Sequence, residues 1–123
     1  MNELKAGSKF DGDKNRLELV DALAIEGIGK VLTFGAKKYA ADNWRGGIQY
    51  TRLIGAIKRH LSAIERGEDI DIESGLPHID HLGCEWMFMS HFMKTRLDLD
   101  DRWTTRINIA DSEYAEVAYG DIK

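Results

Sequence analysis

The chain has 123 residues, of which 43% are hydrophobic and 31% charged, and its formal net charge at pH 7 is −4. This length suits one domain with a real core, and the acidic balance argues against a broad nucleic-acid surface. A single cysteine, Cys84, excludes an internal disulfide and favours a reducing, cytoplasmic location. With neither a long apolar run nor a secretion signal, no membrane partner is expected.

Residues 1–16 are predicted to form an N-terminal arm, because the stretch KFDGDKNR (residues 9–16) combines turn formers with alternating charges. A solvated arm is the simpler interpretation. The alternative is that Lys14 and Arg16 reach a phosphate group of a ligand.

An apolar stripe predicts a first helix over residues 17–35. Its members recur at intervals of three and four residues, the period of one helix face: Val20, Leu23, Ala24, Ile28, Val31 and Leu32. Gly27 falls on this stripe, where its missing side chain would let another helix approach closely.

The segment from Phe34 to Gly47 places aromatic and cationic side chains between glycines, which predicts an ordered loop. This composition suits a planar, anionic ligand. Trp44 or Tyr39 would stack on a base, and the nearby lysines or Arg45 would contact phosphates. The competing interpretation is that Trp44 only plugs the end of a helix bundle.

Two further helices are predicted over residues 50–66 and 75–95, each with an apolar stripe. His60 lies on the stripe of the second helix, where a lone histidine is usually a core residue. Ser74 is the expected N-cap of the third helix. A single layer of three helices leaves apolar surface uncovered, so a homodimer or homotetramer is expected. The expected contact residues are Trp86, Met89 and Met93.

The predicted fold is therefore an all-α helical bundle completed by oligomerisation, with its helical domain over residues 17–96. Residues 97–123 are predicted to extend the same domain. Within them, residues 104–109 are predicted to form a short strand and residues 113–119 a short helix. Cys84 is predicted to be a core residue and not a nucleophile.

The connection between the second and third helices is rich in carboxylates and imidazoles, which an antiparallel hairpin would bring to one end. Its titratable residues are Glu65, Glu68, Asp69, Asp71, Glu73, His78 and His81. Such a cluster needs a cation or water to satisfy it. Carboxylates favour Mg²⁺ or Mn²⁺, and imidazole shifts the choice toward Mn²⁺. Histidines beside these anions are expected to gain a proton. Glu85 shares a flank of the third helix with the two histidines.

Three stretches in order resemble a known family: KFDGDKNR, FGAKKYAADNW and RHLSAIERGEDIDIESGLPHIDH. They are similar to the N-terminal domain of phage dATP/dGTP diphosphohydrolases, which are MazZ-like proteins among the all-α, MazG-type NTP pyrophosphohydrolases. The resemblance covers roughly residues 9–94. It implies hydrolysis of a purine deoxynucleoside triphosphate to monophosphate and pyrophosphate, with Mg²⁺ or Mn²⁺, in phage nucleotide metabolism in the host cytoplasm.

MazG-type enzymes carry metal ligands as Glu-x-x-Glu on one helix and Glu-x-x-Asp on the next. The nearest equivalents here are Ser62-x-x-Glu65 and His78-x-x-His81, so only Glu65 keeps the expected carboxylate. The predicted metal ligands are Glu65, Glu68, Asp71, Glu73 and His81. The predicted catalytic residues are Glu65, Asp71, Glu73 and His78. The predicted substrate-binding residues are Lys14, Arg16, Lys38, Asn43, Trp44, Arg59 and His60.

Two other classes of protein stay open on the sequence alone. A non-catalytic nucleotide-binding module would keep the aromatic and basic loop without turnover. A phage interaction or inhibitor protein would use the third helix, with its Met and Trp side chains, as its interface.

Overall fold

The computed structural model describes residues 6–103, and the strand and helix predicted at 104–109 and 113–119 lie outside the described residues. Three helices carry the fold: α1 (Ala22–Lys38), α2 (Tyr50–Glu65) and α3 (His78–Thr95). Short 3₁₀ turns occur at Leu17–Leu19, Asn43–Gly46 and Leu97–Leu99. Between residues 6 and 103 the only β-type pairing is an isolated bridge from Ile70 to Pro77. The predicted all-α fold is confirmed.

The central helix is α3, which packs against both α1 and α2 and most extensively against α2. Tyr50, at the start of α2, donates a hydrogen bond of 3.1 Å to the carbonyl of Phe92, near the end of α3. His60, farther along α2, meets His78 at the start of α3. The two helices are therefore antiparallel. Helices α1 and α3 are antiparallel as well. Ile28, in the first half of α1, contacts Gly83, and Lys38, at the end of α1, pairs with Glu73 just before α3.

The fully buried core lies between α2 and α3 and consists of Tyr50, Leu53 and Phe92. Partly buried apolar side chains pack around it: Trp44, Ile48, Phe88, Met89, Met93 and Leu99. Of the three side chains expected at an oligomer contact, the two methionines thus pack against the chain's own core, whereas Trp86 is 59% exposed. In the described part of the chain, no helix is both long and apolar enough to cross a membrane.

The first helix starts later and ends later than the predicted range of 17–35. Asp21 is its N-cap, because its carboxylate accepts a hydrogen bond from the backbone N–H of Ala24. Residues 17–19 form a separate 3₁₀ turn, and Leu23 is 77% exposed. Gly27 is buried and faces Asp80 of α3, so the predicted close approach of a second helix at this glycine is confirmed.

The third helix begins at His78, and the predicted N-cap at Ser74 is wrong. Residues 69–78 fold back as a tight turn in which the Asp71 N–H donates to the Leu76 carbonyl and the His78 N–H donates to that of Asp69. Gly75 adopts a φ of +74° in this turn, a left-handed conformation that glycine tolerates best. The turn delays the helix until after Pro77, which occupies the N-cap position.

A cleft between the helices as the candidate functional site

A cleft of about 1300 Å³ lies between the C-terminal half of α1, the following loop, α2 and α3. Eight predicted site residues line it: Lys38, Asn43, Trp44, Arg59, His60, Asp71, Glu73 and His81. They come from the end of α1, from the loop, from α2, from the turn before α3 and from α3 itself. The cleft thus contains most of the predicted substrate-binding residues and some of the predicted metal ligands.

The other predicted residues lie elsewhere. Lys14 and Arg16 are exposed, and Arg16 pairs with Glu18 at 2.8 Å. Glu65 is exposed in the last turn of α2. Glu68 and His78 line a smaller adjoining pocket of about 510 Å³, where Glu68 pairs with Arg66. The four predicted carboxylate ligands therefore do not converge within the described chain.

At the cleft, the turn before α3 is organised by the hydroxyl of Ser74. This hydroxyl donates to Asp71 Oδ2 at 2.8 Å, accepts from the Leu76 N–H at 3.1 Å and lies 2.7 Å from His81 Nε2. The hydroxyl proton is committed to the carboxylate, so His81 Nε2 must be the donor to Ser74. This assigns the proton of the neutral ring to Nε2 and fixes the orientation of His81.

Burial sets the charge of the groups in this network. Burial lowers the pKa of His81, and the opposing attraction of Asp71 is too weak to reverse it. The expectation that neighbouring anions protonate His81 near neutral pH is therefore wrong. Burial works against ionisation of Asp71, yet the hydrogen bonds from Ser74 hold the pKa of its carboxyl below the ordinary value. Asp71 is ionised at neutral pH, and His81 is the neutral imidazole that faces it.

A second imidazole pair adjoins this network. His60 Nδ1 and His78 Nδ1 lie 2.9 Å apart, so one donates to the other. The His60 ring stacks on that of His81, with centroids 4.9 Å apart and planes 9° apart. Burial, followed by the charges of His81 and His78, lowers the pKa of His60. The stacked rings of His60 and His81 therefore lie in the cleft, and His60 is hydrogen-bonded to His78 in the adjoining pocket.

At the other end of the cleft the wall is aromatic. The rings of Trp44 and Phe88 are stacked with centroids 4.7 Å apart, and His91 meets Trp44 edge-on at 5.3 Å. The guanidinium of Arg45 lies 4.5 Å from the Trp44 ring. Trp44 thus packs at the bundle end, as the competing interpretation held, and also lines the cleft. Tyr39 is 64% exposed beside it.

The sequence-based site omitted Glu85, which is half-buried on α3 and lines the cleft. Burial raises the pKa of its carboxyl to about 7, and the charge of Arg59 opposes the rise only in part. Its position four residues after His81 was the available signal, because that spacing puts both on one flank. The neighbouring Cys84 is buried, and burial raises the pKa of its thiol to about 12. Cys84 is a core residue, as predicted.

Comparison with known proteins decides the family. Residues 5–102 match the family described as "dATP/dGTP diphosphohydrolase, N-terminal". The chain belongs to this family. It is 37% identical over 102 residues to a "dATP/dGTP diphosphohydrolase" of Salmonella phage PMBT28, an alignment that covers 82% of this chain and 35% of that relative. The chain thus spans about a third of the length of the curated relative that it matches. No solved structure matches it.

Proposed function

We propose that this dATP/dGTP diphosphohydrolase N-terminal domain hydrolyses purine deoxynucleoside triphosphates to the monophosphate and pyrophosphate, within phage nucleotide metabolism. The observation that carries the proposal is the single cleft in which a polar end and an aromatic end meet. The polar end carries Lys38, His60 and His81, and the aromatic end carries Trp44 and Phe88. The name of the phage relative and the family supply the substrate class.

The length of the cleft suits a nucleotide. From His81 to Phe88, α3 rises about 10 Å, so a ligand lying along this face would place its two ends in different chemical surroundings. Phosphates need cations and hydrogen-bond donors, and a base needs a flat apolar wall. A triphosphate at the polar end and a base at the aromatic end satisfy both requirements.

The chain's own residues would take the following parts. Lys38 and Arg59 neutralise phosphate charge from opposite sides of the cleft, although Lys38 must exchange its 2.8 Å ion pair with Glu73 for the ligand. Asp71, held ionised by Ser74, is a suitable acceptor for a water molecule or a ligand proton. The neutral rings of His60 and His81 would accept a proton as general bases.

A Mg²⁺ or Mn²⁺ requirement remains a prediction. In residues 6–103, no three His, Cys, Asp or Glu side chains form a group arranged to hold a metal ion, so the predicted ligand set does not make a metal centre by itself. The direct check is turnover of Asp71→Asn and Glu73→Gln variants over a range of Mn²⁺ concentrations. Parental rates and parental Mn²⁺ dependence in both would refute the proposed ligands.

We also propose a homodimer or homotetramer. Apolar side chains on α1 and α3 stay in contact with solvent in the single chain, including Leu23 at 77% and Trp86 at 59% exposure. Burying such surface against a second copy would be favourable. Light scattering at micromolar concentration checks this proposal, and a monomeric mass would refute it.

The experiment for the proposed activity is a panel of the four deoxynucleoside triphosphates, with Mg²⁺, Mn²⁺ or EDTA, followed by chromatography of the products. Consumption of dATP or dGTP in preference to the pyrimidine nucleotides supports the proposal. Purine binding without any turnover would instead identify a non-catalytic nucleotide-binding module.

A further inference from the structure

Glu85 lies at the border between the two ends of the cleft. It follows His81 by four residues and precedes Phe88 by three on α3, and these offsets place all three side chains along one helix flank. Phe88 is one of the two stacked rings of the aromatic wall. The carboxyl group of Glu85 therefore lies next to the surface that best suits a nucleobase.

Within residues 6–103, Glu85 makes no hydrogen bond or ion pair with another side chain, although Arg59 influences it electrostatically. The Arg59 guanidinium lies along the backbone of its own helix, α2. Its Nη1 atom would be 3.2 Å from a Cβ atom if Gly55 carried one. The oxygens of this half-buried carboxyl group of Glu85 are not enclosed by the protein. A ligand in the cleft can therefore reach them and bring its own donors or acceptors to this point.

The Watson–Crick edges of the two purines offer complementary patterns. Guanine presents two neighbouring N–H donors, at N1 and N2, which a carboxylate accepts together. Adenine presents an acceptor at N1 beside a donor at N6, which a protonated carboxyl group matches with its O–H and its carbonyl oxygen. We propose that Glu85 reads the Watson–Crick edge of the purine, as a carboxylate with guanine and as a carboxylic acid with adenine.

This inference rests on the proposed purine substrate and adds the residue that recognises it. With a pKa of about 7, Glu85 populates both protonation states near neutral pH, so one site accepts either purine. Above that pKa the carboxylate dominates and guanine is favoured. Below it the acid dominates, and because its donor and acceptor pair with N1 and N6 of adenine and equally with O6 and N1 of guanine, the preference for guanine is lost. The preference between dGTP and dATP therefore depends on pH.

Other charged or titratable side chains line the same cleft from every element around Glu85. They are Lys38 on α1, Tyr39, Asp42 and Arg45 in the loop, Arg52, Arg59 and His60 on α2, Asp71 and Glu73 in the turn, and His81, Cys84 and His91 on α3. Their titration alters the binding of both purine nucleotides, because the sugar and phosphates are identical. The ratio of the two affinities cancels these effects to first order and isolates the group at the base.

The experiment measures dissociation constants of dGMP and dAMP by calorimetry at about pH 6 and about pH 8. These monophosphates are not hydrolysed as triphosphates are, so binding is separate from turnover. For the parent protein we expect the affinity ratio to shift toward dGMP by roughly tenfold or more across this range, as the ionised fraction of Glu85 rises. A ratio that is constant with pH overturns the proposal, and this measurement needs no variant.

Glu85→Gln gives the second measurement. Its amide offers one donor and one acceptor, like the protonated acid, so at about pH 8 the variant should lose roughly tenfold of the parental preference for dGMP, and its ratio should not change with pH. Asp98→Asn is the matched control, since Asp98 is exposed and pairs with Arg96, and it should keep the parental pH dependence. A Glu85→Gln protein with the parental ratio at about pH 8, or with equally reduced turnover of dATP and dGTP, overturns the assignment.

Failure of this inference is distinguishable from failure of the proposed activity. A pH-dependent purine ratio in binding, without any triphosphate turnover, supports the role of Glu85 and refutes hydrolysis. Turnover of purine triphosphates with a pH-independent ratio supports hydrolysis and refutes the role of Glu85.

Discussion

The carboxylate of Asp80 on α3 occupies the space in which a side chain at Gly27 on α1 would begin. A Cβ at Gly27 would overlap both carboxylate oxygens, whereas one at Gly29 would meet nothing within 4 Å. These two glycines lie two residues apart on the same helix, but α3 approaches closely only at Gly27.

Gly27→Ala should be less stable than Gly29→Ala. Both substitutions gain roughly 1 kcal/mol of helix propensity, but overpacking against Asp80 costs roughly 1–3 kcal/mol at Gly27 alone. Urea unfolding gives the two free energies. Adding Asp80→Ala should raise the free energy of unfolding of the Gly27→Ala variant relative to the effect that it has on the Gly29→Ala variant. Equal stability of the two single variants would contradict the close packing of α1 on α3.

Tyr50→Phe should lower the free energy of unfolding by roughly 1 kcal/mol. The Tyr50 hydroxyl, on a fully buried residue, donates toward the carbonyls of Phe92 and Arg96 at 3.1 and 3.2 Å. Removing it leaves the ring in the core and deletes this link to the end of α3. Denaturant unfolding measures the change, and an unchanged midpoint would show that the link contributes nothing.

Glu85→Gln should stabilise the fold at high pH and not at low pH. The folded-state pKa of about 7 exceeds the ordinary value of 4.5, so the stability that Glu85 contributes is fully present below about pH 4.5 and is lost as pH rises through 7. At about pH 8 the variant should exceed the parent by roughly 1–3 kcal/mol, since each pKa unit corresponds to about 1.4 kcal/mol and solvent screens part of it.

Thermal unfolding of parent and Glu85→Gln between about pH 4 and about pH 8 tests that stability difference. His60 and His81 act in the opposite direction, because their lowered pKa values remove stability as pH falls through the acid range. They are present in both proteins and cancel in the comparison. A difference that does not grow with pH would show that Glu85 is ionised as easily in the fold as in the unfolded chain.

Lys38→Ala should weaken purine nucleotide binding several-fold without lowering the melting temperature appreciably. Lys38 lines the cleft, and its ion pair with Glu73 is exposed, so its loss removes a phosphate partner more than a structural contact. Lys30→Ala is the control, since Lys30 is an exposed lysine of the same helix that does not line the cleft. Equal nucleotide affinities in the two variants would show that Lys38 does not bind the nucleotide.

Helical periodicity predicted the fold well, since the stripes in residues 50–66 and 75–95 correspond to α2 and α3. The predicted helix boundaries were wrong where specific side chains determine the start of the helix. Asp21 caps α1 locally, but the apolar residues before it continue the stripe and hide the break. Ser74 has the chemistry of an N-cap, yet the turn at Gly75 directs its hydroxyl to Asp71 and His81.

The sequence predicted many residues of the candidate site, but it predicted less well which of them lie together. The sequence predicted Lys38 and Trp44 as substrate-binding residues and His81 as a metal ligand, and the cleft contains all three. It did not indicate that Glu68 turns away to Arg66, because that depends on the path of the chain after α2. Glu85 was missed because burial gives it its chemistry, and burial on a helix flank is set by the packing of all three helices.

The most direct test of the proposed activity is hydrolysis of dGTP in ¹⁸O-labelled water, with the products separated and weighed by mass spectrometry. A diphosphohydrolase that directs water to the α-phosphorus yields labelled dGMP and unlabelled pyrophosphate, and this is the predicted result. Formation of dGDP with orthophosphate, or no loss of dGTP or dATP at any divalent-ion concentration, would contradict the account.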